Sequence, residues 1–213
     1  MNALSENKIV VGTLAAIVLL IGLWGVWKLL NGSSTPTQST TTIDLKVNES
    51  DWQMGPASAS ATLVEYSDFQ CPACKAYAPI VKTFVEKNKE KVKFVYRNFP
   101  LQQHQFSKQA AYFAEAAGMQ GKFFEMHDKL FDGQEDWEKE TDPEKTFLSY
   151  AKELKLDIAK LQKDVDSKEV KDNVEADLAS GNAAGVDSTP SFYMNGKKVE
   201  SPKSVEDFEN LIK

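Results

Sequence analysis

Cys71 and Cys74 are the only thiols in 213 residues, and they stand three positions apart in VEYSDFQCPACKAY. That spacing admits three kinds of chemistry. A structural disulfide stabilises chiefly by restricting the unfolded chain and gains with loop length, so so small a loop contributes little. A zinc site usually needs four ligands, often from a second close pair. Beyond the thiols the chain offers only His104 and His127, too far apart for the usual histidine spacing. Haem attachment needs a histidine after the second cysteine, where Lys75 stands. A redox pair suits the surroundings best. Cys71 sits where a strand-like run gives way to a helix-like one, and the free N–H groups and dipole of a helix N-terminus stabilise a thiolate. Cys74, one turn further in, is expected to be more buried and placed to attack a mixed disulfide on Cys71. Spacing alone leaves the staple and the metal half-site open.

The elements around the pair read as alternating strand and helix. ATLVEYSDF, residues 61–69, is short, apolar and β-rich. After the cysteines, Tyr77, Ile80, Val81, Phe84 and Val85 fall at helical spacing. Pro72 suits the first turn of that helix and Pro79 is expected to kink it. KVKFVYRNF, residues 91–99, reads as a second strand, giving a parallel strand–helix–strand unit. Several short helical runs follow, with Asp142 and Pro143 opening one of them. They suggest a helical domain inserted at about 104–184. The chain then returns to two short strands around Asn195-Gly196, a strong hairpin signal. It ends in an amphipathic helix on which Val205, Phe208, Leu211 and Ile212 share a face. His104, His127 and the phenylalanines Phe106, Phe113, Phe123 and Phe124 read most simply as helix and core residues. Asp68 and Phe69 read as shaping the approach to the thiols.

The N-terminus is of another kind. After a tail at 1–8, residues 9–30 are apolar up to Lys28, long enough at about 1.5 Å per residue to cross a hydrocarbon core of about 30 Å. Trp24 and Trp27 stand near one end, as interfacial indoles do. The run exceeds a signal-peptide core and lacks a good cleavage site, so an uncleaved transmembrane anchor is expected. Residues 31–50, beginning NGSSTPTQSTTT, read as a flexible linker, and the folded part as residues 51–213. Lys8 and the amino terminus favour a cytoplasmic start. The folded part would then stand outside the cytoplasmic membrane on a single-pass tether. A formal net charge of −6 and interleaved lysines and acids argue against nucleic acid as a partner.

LVEYSDFQCPACKAY resembles the active-site signature of DsbA-like thiol–disulfide oxidoreductases of the thioredoxin superfamily, and especially the membrane-tethered bacterial kind. The likeness continues through VKFVYRNFPL, AAYFAEAAGMQGKFFEMHDKLF and GVDSTPSFYMNGK. It implies an α/β, thioredoxin-like fold with an inserted helical domain, here preceded by the transmembrane helix. It implies Cys71 as the substrate-facing nucleophile, Cys74 as its resolving partner and Cys71–Cys74 as a redox-active disulfide. Thr189 is implied to precede a cis-Pro190, its backbone offered to an extended substrate strand. Glu65 matches a buried acid of the family that relays protons to Cys74. The implied activity is introduction of disulfides into exported or unfolded proteins, with reoxidation by a quinone-linked membrane partner like DsbB. No organic cofactor and no metal are implied. A reductase or isomerase on the same scaffold is the alternative, and a non-enzymatic thioredoxin-like binding module stands further off. Pro72-Ala73 replaces the Pro-His of the best-known oxidase, which leaves the strength of oxidation open.

Overall fold

The computed structural model describes residues 45–48, 50–200 and 202–213. The tail at 1–8, the expected anchor at 9–30 and most of the expected linker lie outside the described residues. Among the described residues no helix is long and apolar enough to cross a membrane.

A five-stranded mixed sheet carries the molecule: β1 (Trp52–Met54), β2 (Ala61–Ser67), β3 (Val92–Asn98), β4 (Ser191–Met194) and β5 (Lys197–Val199), in the order β1-β3-β2-β4-β5. The central pair, β2 and β3, is parallel, and every other pairing is antiparallel. Parallel neighbours need a crossover, supplied by α1 (Pro72–Lys87). In β2 six of seven positions are buried, because successive side chains go to opposite covered faces. Leu63 joins the core beneath α1 with Phe84, Phe94 and Phe192, whereas Val64 and Tyr66 join Val95, Phe99 and Tyr193 on the far side.

α1 forms where Cys71, in extended conformation, ends the loop after β2 and Pro72 opens the first turn. Val81, Phe84 and Val85 bury its inner face. The helix runs without interruption through Pro79. Its far end stacks Phe84 on Phe208 of α8 (Val205–Asn210), ring centroids 5.3 Å apart. Of the four residues expected on the inner face of that helix only Phe208 is fully buried. The helix stops at Asn210, and Leu211, beyond its end, is 39% exposed. Between β4 and β5, Asn195 and Gly196 both take positive φ (51° and 75°), the twisted two-residue turn that matches the twist of paired strands.

Six helices lie between β3 and β4: α2 (Ser107–Gly118), α3 (Phe123–Asp132), α4 (Gln134–Trp137), α5 (Glu144–Glu153), α6 (Ile158–Val165) and α7 (Lys168–Ala183). Asp157 and Ser167 cap α6 and α7 through their side chains. α5 opens one residue later than expected: Pro143 holds the cap position and Asp142 accepts from the Glu144 N–H. Fully buried alanines on α2, among them Ala110, Ala114 and Ala117, let neighbouring helices approach closely. Trp137, Phe147 and Phe113 fill the space beside them. These side chains belong to the same continuous core as the α1 face of the sheet, so helices and sheet share one interior.

Two features were not foreseen. β1 pairs antiparallel with β3, Gln53 opposite Val95. The packed structure also begins before residue 51: Leu45 and Val47 pack on the far-side core, and the Lys46 carbonyl accepts from Arg97 at 2.7 Å.

Candidate active site

Cys71 precedes the first turn of α1 with its sulfur facing the loop before β4. There the Thr189–Pro190 peptide bond is cis, and the Cys71 thiol donates to the Thr189 carbonyl at 3.4 Å. The loops ahead of α1 and ahead of β4 therefore meet at one sulfur. Cys71 is buried but for 7% of its surface, whereas Cys74, one turn in, is fully buried. The environment separates the two thiols. The hydrogen bond from Cys74 does most to draw Cys71 down to about 5, with Thr189 and the backbone N–H groups of Cys74 and Ala73 adding to it against burial. Burial first, then the hydrogen bond with Cys71 and the charges of Cys71 and Glu65, push Cys74 well above the ordinary thiol value. Cys71, the less enclosed sulfur, is thus the more readily ionised of the two, and Cys74 the more reluctant.

Glu65 lies on β2, facing α1, flanked across the sheet by Tyr96 and Phe192. It is 2% exposed, and burial pushes its carboxyl up to about 7. Ser67, two residues on, turns to the same face. The Ser67 and Tyr96 hydroxyls are buried with no hydrogen-bond partner among the described residues. The structure therefore gathers all five sequence-expected site residues: Cys71, Thr189 and Pro190 at the surface, Cys74 below them, and Glu65 beneath Cys74.

Several residues that hold the site were read too plainly in the sequence, as Asp68 and His104 were, or went unread, as Gln70 and Gln134 did. Asp68, fully buried in the loop after β2, donates its N–H to the Cys74 sulfur at 3.5 Å. Its carboxylate accepts from the Gln70 N–H (2.8 Å) and the Leu101 N–H (2.8 Å) and pairs with His104 Nδ1 (2.7 Å). Gln134 on α4 donates to the carbonyls of Phe69 (2.7 Å) and Cys71 (3.0 Å), clamping the loop from the helical side. Gln70 accepts from the Phe106 N–H at 2.7 Å. The signal available in the sequence was the apolar, strand-like run that leads into Asp68; Gln134 lies in the polar stretch FDGQEDWEKE and carries no such signal, and the partners of both are set by long-range folding.

The Thioredoxin family model matches residues 47–213, and the chain belongs to that family, with the DsbA-like form of its fold. Among solved structures it is similar to a thioredoxin-like oxidoreductase from Silicibacter pomeroyi, at 27% identity and TM-score 0.67, over 78% of this chain and 91% of that one. It is similar to oxidised BdbD from Bacillus subtilis at 26% identity and TM-score 0.67, over 76% of this chain and 91% of that one. Wolbachia pipientis alpha-DsbA1, at 21% identity and TM-score 0.69 over 79% and 92% of the two chains, shares the fold. The curated relatives that it matches include proteins named as Na⁺/H⁺ antiporters NhaA. One from Salinispora tropica is 33% identical over 77% of this chain, and one from a Mycobacterium strain is 33% identical over 92%. The chain spans only 25% and 32% of those proteins, about a quarter to a third of their length.

Proposed function

We propose that the chain is a thiol–disulfide oxidoreductase working as a disulfide oxidase on exported proteins, with Cys71 as the nucleophile and Cys74 as the resolving thiol. The observation that carries this reading is the division of labour between the two sulfurs: Cys71 at a helix N-terminus beside Thr189 and drawn down to about 5, Cys74 enclosed and pushed up. A substrate thiolate attacks the Cys71 sulfur of the disulfide. The Cys71–Cys74 bond breaks, and Cys74 leaves as a thiolate that takes a proton from Glu65. A second substrate thiolate then attacks the substrate sulfur of the mixed disulfide and expels Cys71 as a thiolate. The substrate leaves oxidised and the protein reduced by two electrons. Stabilising the departing Cys71 thiolate stabilises the reduced protein, which makes the pair oxidising. The sign follows from the depressed value: this gain is full above the ordinary thiol value of about 9, shrinks as pH falls, is partly present at neutral pH and is gone below about 5.

The backbone at Thr189, ahead of cis-Pro190, takes an extended substrate strand. Residues 9–30 anchor the domain on the extracytoplasmic side, where a DsbB-like membrane partner reoxidises it. Antiport is named for the longer NhaA proteins, and the site on this chain offers thiol chemistry instead.

The test is the reduction potential of the Cys71–Cys74 couple in equilibrium with glutathione. The expected value lies well above the thioredoxin figure of about −270 mV; a value at or below it would make the protein a reductase. Thiol trapping of the cellular protein should find the pair mainly oxidised. Cys71→Ser should abolish exchange.

A further inference from the structure

The enclosed position of Cys74 poses a problem that the two sulfurs do not solve. Its thiol must gain or lose a proton in every cycle, yet it is fully buried, and so is Glu65 beneath it. A cavity of ≈ 90 Å³ opens against Glu65 on the side away from Cys71. One water needs only about 10–15 Å³ of such space, so the cavity has room for several, with Glu65, Glu86, Lys82, His127 and Asp128 as polar partners on an otherwise apolar wall. Ala78 on α1 and Phe124 on α3 wall it, and Lys82, His127 and Asp128 stand along it. Exposure rises along that line: the side chain of His127 is 10% exposed, Asp128 36% and Lys82 53%. The three are joined, His127 Nδ1 to Asp128 Oδ1 at 3.0 Å and Lys82 Nζ to Asp128 Oδ2 at 2.6 Å. The His127 ring also packs edge-on against Tyr96, centroids 4.9 Å apart, and Tyr96 is the cross-strand neighbour of Glu65.

We propose that this cavity is the proton port of the buried thiol, through which Glu65 exchanges protons with solvent by way of the His127–Asp128 pair. The inference rests on the oxidoreductase reading and adds a route to it. When the Cys71–Cys74 bond breaks, the electron pair stays on Cys74 and the Glu65 carboxyl hydrogen moves to that sulfur, directly or through the Ser67 hydroxyl. Glu65 is left as a carboxylate and regains a proton from water in the cavity, which draws it from the rim; in the reverse direction every transfer reverses. The groups that face Glu65 or share its cavity are Cys74, Lys82 and Glu86 of α1, Tyr96 of β3, and His127 and Asp128 of α3, with Asp68 close to the Cys74 end. The Lys82–Asp128 bridge stands at the exposed end of the lining.

Two variants of the full-length protein test the port without touching a thiol or Glu65. Ala78→Leu fills the cavity and adds no charge; Asp128→Asn removes the acid of the rim. The reading is the single-turnover rate of the oxidised protein with a small dithiol across pH, beside the alkylation rate of Cys71 in the reduced protein. Both variants should slow the turnover about tenfold near neutral pH, less than the roughly 10²–10⁴-fold that a general acid or base itself contributes because the port is impeded while Glu65 stays in place, and leave Cys71 alkylation unchanged. Imidazole buffer should restore Asp128→Asn, whose cavity stays open, and not Ala78→Leu. Unchanged rates and pH profiles in both variants would overturn the port while leaving the oxidoreductase reading intact. Equal losses in turnover and alkylation would mark a deformed site and count against the port. A wild-type protein inert toward the dithiol would bring down the oxidoreductase reading and the port with it.

Discussion

Glu65 and Glu115 are alike in burial, at 2% and 1% exposure, and in that burial pushes each carboxyl up to about 7. They differ in what surrounds them. Glu115, on α2, accepts from Trp52 Nε1 at 2.8 Å, from Asn98 Nδ2 at 2.7 Å and from Asn173 Nδ2 at 3.3 Å. Beside it Arg97 holds Asp51 through two nitrogens, both at 2.9 Å, and donates to Tyr66 and to the Lys46 carbonyl. No N–H donor among the described residues reaches Glu65, the hydroxyls near it lack partners, and a cavity opens on it. A raised carboxyl therefore has two meanings in one molecule. Held by several donors it ties β1, β3 and the helices together; left loosely held beside a thiol it is free to trade protons.

The largest effect expected from this contrast is on stability. Asp51→Ala leaves the Arg97 guanidinium buried without its carboxylate, and breaking a buried pair costs about 3–5 kcal/mol. The urea midpoint should fall accordingly, while the reduction potential of the fraction still folded stays put. A potential that moved with the midpoint would mean that the two acidic regions form one unit. Glu65→Gln should do the reverse. Exchange at Cys71–Cys74 should slow by about 100-fold, at the low end of what a lost proton donor costs, measured as single-turnover reduction across pH. Stability above about pH 7 should hold or rise, because a costly buried charge is gone. A strongly destabilised Glu65→Gln with normal exchange would make Glu65 the structural acid of the two.

The redox end was the legible one. Two thiols at the seam between a strand-like and a helix-like run carry their own local signal, and so do the Asn195-Gly196 turn and the apolar stripe of α1. The thioredoxin-like fold was likewise readable, through the family resemblance. The structural network was not legible, because none of its partners are neighbours in sequence: Trp52 and Glu115 are 63 residues apart, and Asn98 and Asp177 are 79. β1 escaped because three residues show no periodicity and the strand exists only by pairing with β3. His127 looked like core and is core by packing, ringed by Phe69, Tyr96 and Phe131. Only the cavity shows that it also stands along an opening to solvent. Leu211 misled in the other direction, since a helical projection assumed turns that the chain does not complete.

The smallest effect is the one that best separates the two acids, because it can be seen without any redox chemistry. Asp177 accepts from the Asn98 backbone N–H at 2.9 Å and from Asn98 Nδ2 at 3.2 Å. Burial pushes it up to about 8, with Glu115 and Asp51 adding repulsion. In the unfolded chain both Asp177 and Glu115 return to about 4. Between about pH 4 and 8 the folded protein therefore binds more protons than the unfolded one, and stability falls as pH rises. The contribution is fully present below about 4 and is gone above about 8, with a slope that for one proton cannot exceed about 1.4 kcal/mol per pH unit. Asp177→Asn keeps an oxygen for both Asn98 donors and removes the titrating group, so the urea midpoint should fall less steeply across that range than in the wild type. The single-turnover pH profile should not change. If Asp177→Asn flattened the turnover profile as well, the proton traffic assigned to the Glu65 side would extend through β3 to the far network, and the separation between the two acids would fail.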